Sequence, residues 1–383
     1  VRYECVPMRF IKHVYKIHTY AQDGRLFEGK TPVSAFLNSS YDGSFIAGLM
    51  ELRYIQSLPV ERIINYFESH GFTLKKPTAH KLMEKASSLF ENLYKCIRQT
   101  ALSDPYKAAD ETYYKILVPE KNSKGKGVRK GYLWVVVGIN TRMIYLLYDD
   151  GSRSEKVILN ELGGCKGIIQ SDGYSPYRKL ESDAYPHITR IPCLQHIKRK
   201  FIDCGEDDPD AKRIVEMINT LYQNEHKHKI GVDGWTVEQN LVHRKKYAPD
   251  ILGEIKDVLD DIEERGDLLP KSELKEAITY LRNEWNAVVD IFNYGDTYLD
   301  NNIVERMNRY ISLSRKNSLF FGSHKGAERG AILYTIALTC RMNKVNLFEY
   351  LTDVINRTAE WQPNTPLEKY RQLLPDRWEK AND

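Results

Sequence analysis

The sequence lacks paired cysteines, long apolar runs and a strong charge of one sign, and each absence narrows the class of protein. Its six cysteines are scattered without paired spacing, which fits a reducing compartment. The longest apolar run, Tyr132 to Ile139, is too short to span a bilayer, and no signal peptide is visible at the N-terminus. We therefore expect a cytoplasmic protein with no membrane partner.

The net charge of +4 is small for a chain of 383 residues. Such a charge permits nucleic-acid binding but is not evidence for it, so the evidence has to come from local clusters of basic residues. The hydrophobic fraction of 42% and the charged fraction of 28% are typical of soluble globular proteins. A chain of this length has room for two or three domains.

The first part of the chain divides into a short N-terminal segment and a helical region. Residues 1–30 are predicted to be extended or hairpin-like, and Thr31-Pro32 marks a break. Residues 31–105 show helical periodicity, with helices predicted around residues 46–55, 60–67 and 76–94, and His70-Gly71 ends the second of them. Helix, glycine turn and helix form the outline of a helix-turn-helix, although most short helical pairs are packing units.

Residues 106–205 change character and predict a mixed sheet in an α/β layer. Runs rich in valine, isoleucine and tyrosine predict five strands, at 113–118, 132–139, 143–148, 167–170 and 187–191, with a helix at 154–162. The turn between the first two strands, Glu120 to Gly131, is rich in lysine and glycine. The order of these elements matches the ribonuclease H-like fold.

The rest of the chain is predicted to be helical. Residues 206–295 form an all-helical insertion, with helices at 212–222, 249–264 and 271–292. Residues 296–360 contain the closing helices, the first of which begins near Asn301 and carries Glu305. Residues 361–383 contain three prolines and are predicted to be a loop-like tail.

Three acidic residues, Asp110, Asp172 and Glu305, are the candidate catalytic groups. Asp172 stands at the carboxyl end of a short buried strand, where ligands bind in open α/β sheets. Carboxylates near a sheet interior are costly unless a charge offsets them, and their hard oxygen atoms suit Mg²⁺. The residues themselves leave other interpretations open: an Asx-turn at Asp172, a capping or solvated carboxylate at Asp110, and a surface ion pair between Glu305 and Arg309.

Several motifs in a fixed order resemble the transposases of the bacterial insertion sequence 66 family. They are ADET at 109–112, KGYLW at 130–134, QSDGY at 170–174, CLQHIKRKF at 193–201, NNIVER at 301–306, RKN at 315–317, GSHKGAER at 322–329 and LLP at 373–375. The resemblance covers roughly residues 45–378. It implies a ribonuclease H-like catalytic domain in which Asp110, Asp172 and Glu305 are both the catalytic triad and the ligands of Mg²⁺, for which Mn²⁺ can substitute. It also implies DNA cleavage and strand transfer on double-stranded element ends and target, with a homo-oligomer in the synaptic complex.

The sequence departs from this family in one respect. Members often carry a zinc-binding cysteine cluster upstream of the catalytic part, whereas this sequence contains no C-x-x-C pair. Zinc binding by residues 1–30 is therefore not expected. Cys193 and His196 could form half of a zinc site, but no second pair follows. The usual N-terminal DNA-binding region is expected to be missing from this chain.

Basic residues near the candidate triad predict the DNA contacts. Between Arg306 and Arg329 there are six lysines and arginines against one acid, a pattern suited to phosphate contacts, although a solvated basic face would look the same. The candidate DNA-binding residues are His196, Lys198, Arg199, Lys200, Arg306, Arg309, Arg315, Lys316, Lys325 and Arg329. A ribonuclease H-like nuclease without strand transfer and an inactive or truncated copy that only binds DNA are the alternatives.

Overall fold

The structure is a computed structural model that describes residues 1–29, 34–36, 39–121, 125, 127–362 and 364–380. The break expected at Thr31-Pro32 lies outside the described residues, as do Lys124 and Lys126 of the lysine-rich turn and Pro363 of the tail.

The N-terminal segment contains a short exposed hairpin, as the sequence predicted. Its strands are β1 (Thr19–Gln22) and β2 (Arg25–Glu28), which pair antiparallel. The two-residue turn Asp23-Gly24 has positive φ at both positions, which is the turn that a tight hairpin favours. Upstream of the hairpin, Phe10 packs against the rings of Phe45 and Phe72 and so joins this segment to the helices that follow.

Four helices come next: α1 (Gly43–Tyr54), α2 (Val60–Ser69), α3 (Lys76–Leu89) and α4 (Glu91–Ser103). The prediction of one continuous helix over 76–94 was wrong, because Phe90 interrupts it with φ −90° and ψ 2°. Phe90 is fully buried. The packing of this side chain outweighs the continuous helical pattern of the sequence.

A five-stranded mixed sheet occupies the middle of the molecule. Its strands are β3 (Tyr106–Leu117), β4 (Val128–Gly138), β5 (Met143–Leu147), β6 (Gly167–Ser171) and β7 (Ile188–Pro192), in the order β5-β4-β3-β6-β7. The pairs β3–β4 and β4–β5 are antiparallel, whereas β6 runs parallel to β3 and β7 runs parallel to β6. The helix α5 (Glu155–Leu162) connects β5 to β6.

Strand β3 begins seven residues before its predicted start at Tyr113. Its first residues, among them Lys107 and Ala108, lack the β-branched signature of a strand, but they pair with both β4 and β6. The ammonium of Lys107 is buried and donates to the carbonyl of Lys166 at 2.8 Å. Tertiary pairing, rather than local propensity, extends this strand.

Helices make up most of the remaining chain. They are α6 (Ser175–Arg178), α7 (Leu194–Ile202), α8 (Pro209–Glu225), α9 (Val237–Glu264), α10 (Glu273–Ile291), α11 (Asn302–Asn317), α12 (His324–Met342), α13 (Leu347–Thr358) and α14 (Leu367–Arg371). Helix α9 starts well before the predicted Pro249, which lies inside it, since Thr236 and Gln239 form a capping box. The tail also contains a short helix and the buried side chains of Leu373 and Leu374, so the prediction of a plain loop was wrong there.

The buried apolar residues form two clusters. The larger one joins α1–α4, α12 and α13 to the strands β3, β4 and β5. The second joins α7–α10 to sheet residues Tyr106, Ile168 and Ile191. The helices of residues 206–295 therefore pack against the sheet rather than standing apart from it. Among the described residues, no helix is both long and apolar enough to cross a bilayer.

Candidate acidic site and basic cleft

Asp110 lies on β3, and Asp172 directly follows the neighbouring strand β6. In the parallel pair β3–β6, Ala108 stands opposite Gln170. Each aspartate follows two residues later, Asp110 within β3 and Asp172 directly after the end of β6. Because alternate residues of a strand point to the same face, this register brings the two carboxylates to one place.

The carboxylate of Asp110 is partly buried and lies near the carboxylates of Glu111 and Asp172. Its Oδ1 accepts from the backbone N–H of Glu111 at 2.8 Å, and its Oδ2 accepts from the amide of Asn308 at 2.7 Å. Burial, followed by the charges of Glu111 and Asp172, raises the pKa of Asp110 to about 7. Ionising Asp110 in the folded protein therefore costs free energy, and a pKa raised in this way is typical of functional sites.

Asn308 also connects this pair to Glu305. The two residues are one turn apart on α11, so they lie on the same face of the helix. The Oε1 atom of Glu305 lies 3.8 Å from Nε2 of His196, and His196 lines one cleft with Asp172. The structure therefore brings Asp110, Asp172 and Glu305 to the same region. Within the described residues Glu305 lies near His196 and forms no ion pair with Arg309, the partner that the surface-helix alternative required.

The start of α11 is fixed by bonds to the sheet. The side-chain amide of Asn301 donates to the carbonyl of Ala109 at 3.1 Å. Just before it, the backbone N–H of Tyr298 donates to the hydroxyl of Tyr106 at 3.0 Å, and the Tyr298 carbonyl accepts from Gln170 at 2.8 Å. These bonds run to the two strands that carry or precede the aspartates, so they set the position of Glu305 relative to both.

Several buried polar atoms at this site have no hydrogen-bond partner among the described residues. They are Oε1 of Glu305, Nδ1 of His196, and Oδ1 of Asn308. Buried polar atoms normally have a partner, and leaving one unpaired costs free energy. Unpaired acceptors beside a group of carboxylates leave oxygen atoms available to a cation.

Cys193, His196 and Glu305 also come together, with one ligand atom of each within 4.8 Å of the others. The sequence alone did not place Glu305 beside the Cys-x-x-His pair. The Sγ of Cys193, however, accepts from the backbone N–H of Asn301 at 3.2 Å, and burial raises the pKa of its thiol to about 12. Without a metal this thiol is therefore neutral, and a cation would have to displace its proton before Cys193 could join His196 and Glu305 as a ligand.

A basic cleft of about 330 Å³ opens beside Asp172. It is lined by Arg153, Asp172, Gly173, Tyr174, His196, Arg199, Lys200, Asp203 and Tyr280. Arg199 and Lys200 were predicted to bind DNA from the sequence, and Arg153 was not. Arg153 is paired with Glu111, so Arg199 and Lys200 are the cleft cations that remain for a phosphate group.

Two further groups at the site were missed by sequence reasoning. The carboxylate of Glu111 is 6% exposed, and its Oε1 accepts from Nε of Arg153 at 3.0 Å. Its position next to Asp110 in the ADET motif was a usable signal. Tyr280 comes from α10, more than a hundred residues beyond Asp172, and nothing in the sequence connects the two.

The remaining predicted DNA-binding residues fall into different settings. Arg306, Arg309, Lys316 and Lys325 are exposed, and Lys198 is partly buried on α7. Arg329 is paired with Glu84 of α3 at 3.1 Å, which neutralises its charge. The structure therefore leaves Arg329 a weaker candidate than the others.

Arg315 belongs to a row of stacked cations and aromatic rings. Its guanidinium lies 3.9 Å from the ring centre of Tyr113, and the ammonium of Lys130 lies 4.3 Å from the same ring. The row continues through Tyr132 to Arg153, which lies 4.1 Å from the ring of Tyr174 at the cleft. We call these six residues the cation–aromatic row. It leads from α11 to the edge of the basic cleft.

A mixed sheet with carboxylates grouped at its strands and a basic cleft beside them defines an α/β protein with an acidic site suited to a cation and a phosphate. The chain belongs to the IS66 family of transposases, whose family model matches residues 38–329. This agrees with the resemblance seen in the sequence motifs.

The chain is also similar to three uncharacterized proteins of Sinorhizobium fredii. It is 26% identical to protein y4jD over 346 residues, which cover 87% of this chain and 65% of the relative. It is 24% identical to protein y4hP over 404 residues and 26% identical to protein y4qI over 384 residues. These matches cover 99% and 96% of this chain, but 70% and 69% of the relatives. The chain thus spans about two thirds of the length of these relatives.

Proposed function

We propose that this chain is the catalytic part of a DNA transposase that cleaves DNA strands at the ends of its insertion sequence and joins them to target DNA in a metal-dependent reaction. The observation that carries the proposal is that the sheet register sets Asp110 beside Asp172, while Glu305 lies one turn from Asn308, which bonds Asp110. Membership of the transposase family supports the proposal that the substrate is DNA.

The topology of the sheet supports a ribonuclease H-like catalytic fold. Three antiparallel strands in sequence are followed by two strands parallel to the first, in the order β5-β4-β3-β6-β7. We propose the same domains that the sequence predicts. They are a helical domain at 31–105, the first part of the catalytic core at 106–205, a helical insertion at 206–295 and closing helices at 296–360. Their boundaries are part of the proposal.

The residues at the site fit a divalent cation. Asp110 and Asp172 are adjacent, and the pKa of Asp110 is raised by burial and by neighbouring negative charge. A bound cation would offset that charge, and hard carboxylate oxygens suit Mg²⁺ or Mn²⁺. Asp110, Asp172 and Glu305 are the proposed ligands. When bound, such ions activate the attacking oxygen and stabilise the leaving oxygen of a phosphodiester.

The other residues of the site bind and orient. Asn308 donates to Asp110 at 2.7 Å and so fixes the direction of that carboxylate. Arg199 and Lys200 line the cleft beside Asp172, where they would bind phosphate oxygens of the DNA backbone, while Arg153 in the same cleft is paired with Glu111. The cation–aromatic row and the exposed arginines of α11 extend this positive surface, which is the proposed path of double-stranded DNA.

The test is cleavage of the element's own ends by the Asp172→Asn variant in Mg²⁺. We expect cleavage to fall below detection while circular dichroism and melting temperature stay close to those of the wild type, since one ligand of the cation is removed. Asp203→Asn is the matched control, because Asp203 lines the same cleft but is not a proposed ligand. It should leave cleavage near the wild-type rate.

The products distinguish the remaining possibilities. Full cleavage by Asp172→Asn would remove Asp172 from the site. Wild-type cleavage without joining of the cut 3′ ends to target DNA would make the protein a nuclease. Binding of end DNA with no cleavage in Mg²⁺ or Mn²⁺ would contradict the proposed activity.

A further inference from the structure

The peptide unit between Asp172 and Gly173 has both of its polar groups held by distant side chains. Its carbonyl accepts from Nη1 of Arg190 at 3.3 Å, and its N–H donates to the hydroxyl of Tyr280 at 2.8 Å. The Ser171 hydroxyl adds a second donor to the same carbonyl at 3.0 Å. Holding both polar groups of this peptide unit restrains the backbone on the C-terminal side of Asp172, and with it the position of the Cα–Cβ bond from which the carboxylate extends.

Arg190 is itself held by three hydrogen-bond partners, which are Glu181, Glu284 and the Asp172 carbonyl. The side chain is fully buried on β7 and pairs with Glu284 of α10 and Glu181, while its third nitrogen bonds the Asp172 carbonyl. The planar guanidinium has rigid, divergent donors, so bonds to two carboxylates determine where the third points. Lysine could not reproduce this geometry.

Helix α10 supplies both contacts from one face. Tyr280 and Glu284 are four residues apart on α10, so they are neighbours on the helix surface. One reaches Gly173 directly, and the other reaches Asp172 through Arg190. The fit at Gly173 is close, because a Cβ at this position would lie 2.6 Å from the Tyr280 hydroxyl oxygen.

We propose that Tyr280 and Glu284, acting with Arg190, are positioning residues through which the helical insertion aims Asp172 at the cation site. The inference rests on the proposed function, since it assumes that Asp172 is a ligand. It gives the insertion a specific role: a helix far along the chain sets the geometry of a strand-end carboxylate. None of the three side chains is a proposed ligand itself.

A solely structural ion pair would stabilise the fold without affecting the cation. The measurement that separates the two roles is the affinity for Mn²⁺, determined by calorimetry on the full chain without DNA. Tyr280→Phe removes only the hydroxyl. We expect this variant to bind Mn²⁺ about five-fold more weakly, the change that corresponds to one ordinary hydrogen bond.

The same variant should raise the Mg²⁺ concentration that gives half-maximal cleavage by a similar factor. The cleavage rate at saturating Mg²⁺ should change less. Tyr247→Phe is the matched control, because Tyr247 also lies in the insertion and its hydroxyl donates to Glu225 at 2.8 Å, away from Asp172. It should leave Mn²⁺ affinity within about two-fold of the wild type, since every bond to the Asp172 peptide is kept.

Glu284→Gln is a second variant that removes the charge paired with Arg190 but keeps an acceptor. Glu284→Gln should weaken Mn²⁺ binding more than Tyr280→Phe does. If the buried Glu284→Gln substitution unfolds the protein, Tyr280→Phe alone is a sufficient test. Wild-type Mn²⁺ affinity in Tyr280→Phe, or equal losses of affinity in Tyr280→Phe and Tyr247→Phe, would overturn the positioning role.

The Asp172→Asn variant separates this inference from the proposed function. If wild type binds Mn²⁺, Asp172→Asn does not, and Tyr280→Phe matches the wild type, only the positioning role fails. If Asp172→Asn and the wild type bind Mn²⁺ equally well, or neither binds it, the carboxylate site is wrong and both proposals fail.

Discussion

At the scale of single residues, burial and neighbouring negative charges disfavour the ionised form of Asp110. The pKa of Asp110 is raised to about 7 by burial and by the charges of Glu111 and Asp172. The unfolded chain would ionise this carboxyl near its ordinary pKa of about 3.9. As the pH rises from that value to 7, the folded protein therefore loses stability relative to the unfolded chain, and the loss is complete above pH 7.

Asp110→Asn should consequently stabilise the metal-free protein at pH 8. We expect a gain on the order of 2 kcal/mol, less than the full shift in pKa would give at about 1.4 kcal/mol per unit. The gain should shrink as the pH falls through 7 and vanish near pH 4, where both proteins are neutral at this position. Urea denaturation at several pH values in the presence of a chelator measures it, and a variant no more stable than the wild type at pH 8 would contradict the raised pKa.

The sequence identified these carboxylates but not their surroundings. Asp110, Asp172 and Glu305 could be selected because their motifs occur in a fixed order and their oxygens suit a cation. Asn308, Arg153 and Tyr280 could not, because each acts only through a contact made across the fold. A side chain whose role depends on a distant partner carries no local signal.

At the scale of elements, α11 connects the acidic site to the proposed DNA surface. Its first turn carries Glu305, and its last turn carries Arg315 and Lys316. Arg315 is held on the ring of Tyr113 at 3.9 Å and is not among the ion pairs that the described residues form, so its charge is available to phosphate. One helix thus presents both the proposed catalytic carboxylate and the cations proposed to contact the DNA backbone.

The double variant Arg315→Ala, Lys316→Ala should weaken binding to end DNA and reduce its dependence on salt. Each phosphate that a side chain neutralises adds about 0.9 to the slope of log K against log salt, so removing both cations should make that slope shallower. Lys245→Ala, Lys246→Ala on α9 is the control, since these two lysines are exposed and far from the site in sequence. Fluorescence anisotropy at several salt concentrations gives both slopes, and identical slopes for the two double variants would exclude α11 from the DNA surface.

Element types were predicted better than element ends. The five strands follow from runs rich in valine, isoleucine and tyrosine, and the main helices follow from helical apolar patterns; both signals are local. The start of β3, the break at Phe90 and the helix through Pro249 were mispredicted, because partners elsewhere in the chain decide them.

At the scale of the whole molecule, one buried arginine holds the insertion to the segment that returns to α11. Arg244 of α9 is fully buried and pairs with Glu225 of α8. Its guanidinium also donates to the Thr297 carbonyl at 2.6 Å and to the Ile291 carbonyl at 3.3 Å. Residue 297 lies just before the backbone that Tyr106 and Gln170 fix to the sheet.

Arg244→Met should therefore lower both stability and cleavage. Removing one partner of a buried ion pair leaves the other uncompensated, which costs about 3–5 kcal/mol. Arg265→Met, at the exposed C-terminal end of α9, breaks a surface pair with Asp210 and should cost far less, because water solvates the partner that remains. Urea denaturation of the two variants tests the contrast, and similar decreases in stability would show that Arg244 has no special role.

The sequence by itself determined the element types, the choice of three acidic residues and the family, because periodicity and short motifs are properties of neighbouring residues. Only the tertiary structure decided that Asp110 and Asp172 are adjacent, that Glu305 faces His196, and that α10 contacts the Asp172 peptide. These relations join residues that are far apart along the chain, and they depend on sheet register and helix packing. Neither is encoded in any local stretch of sequence, because each is fixed by the combined burial of many side chains.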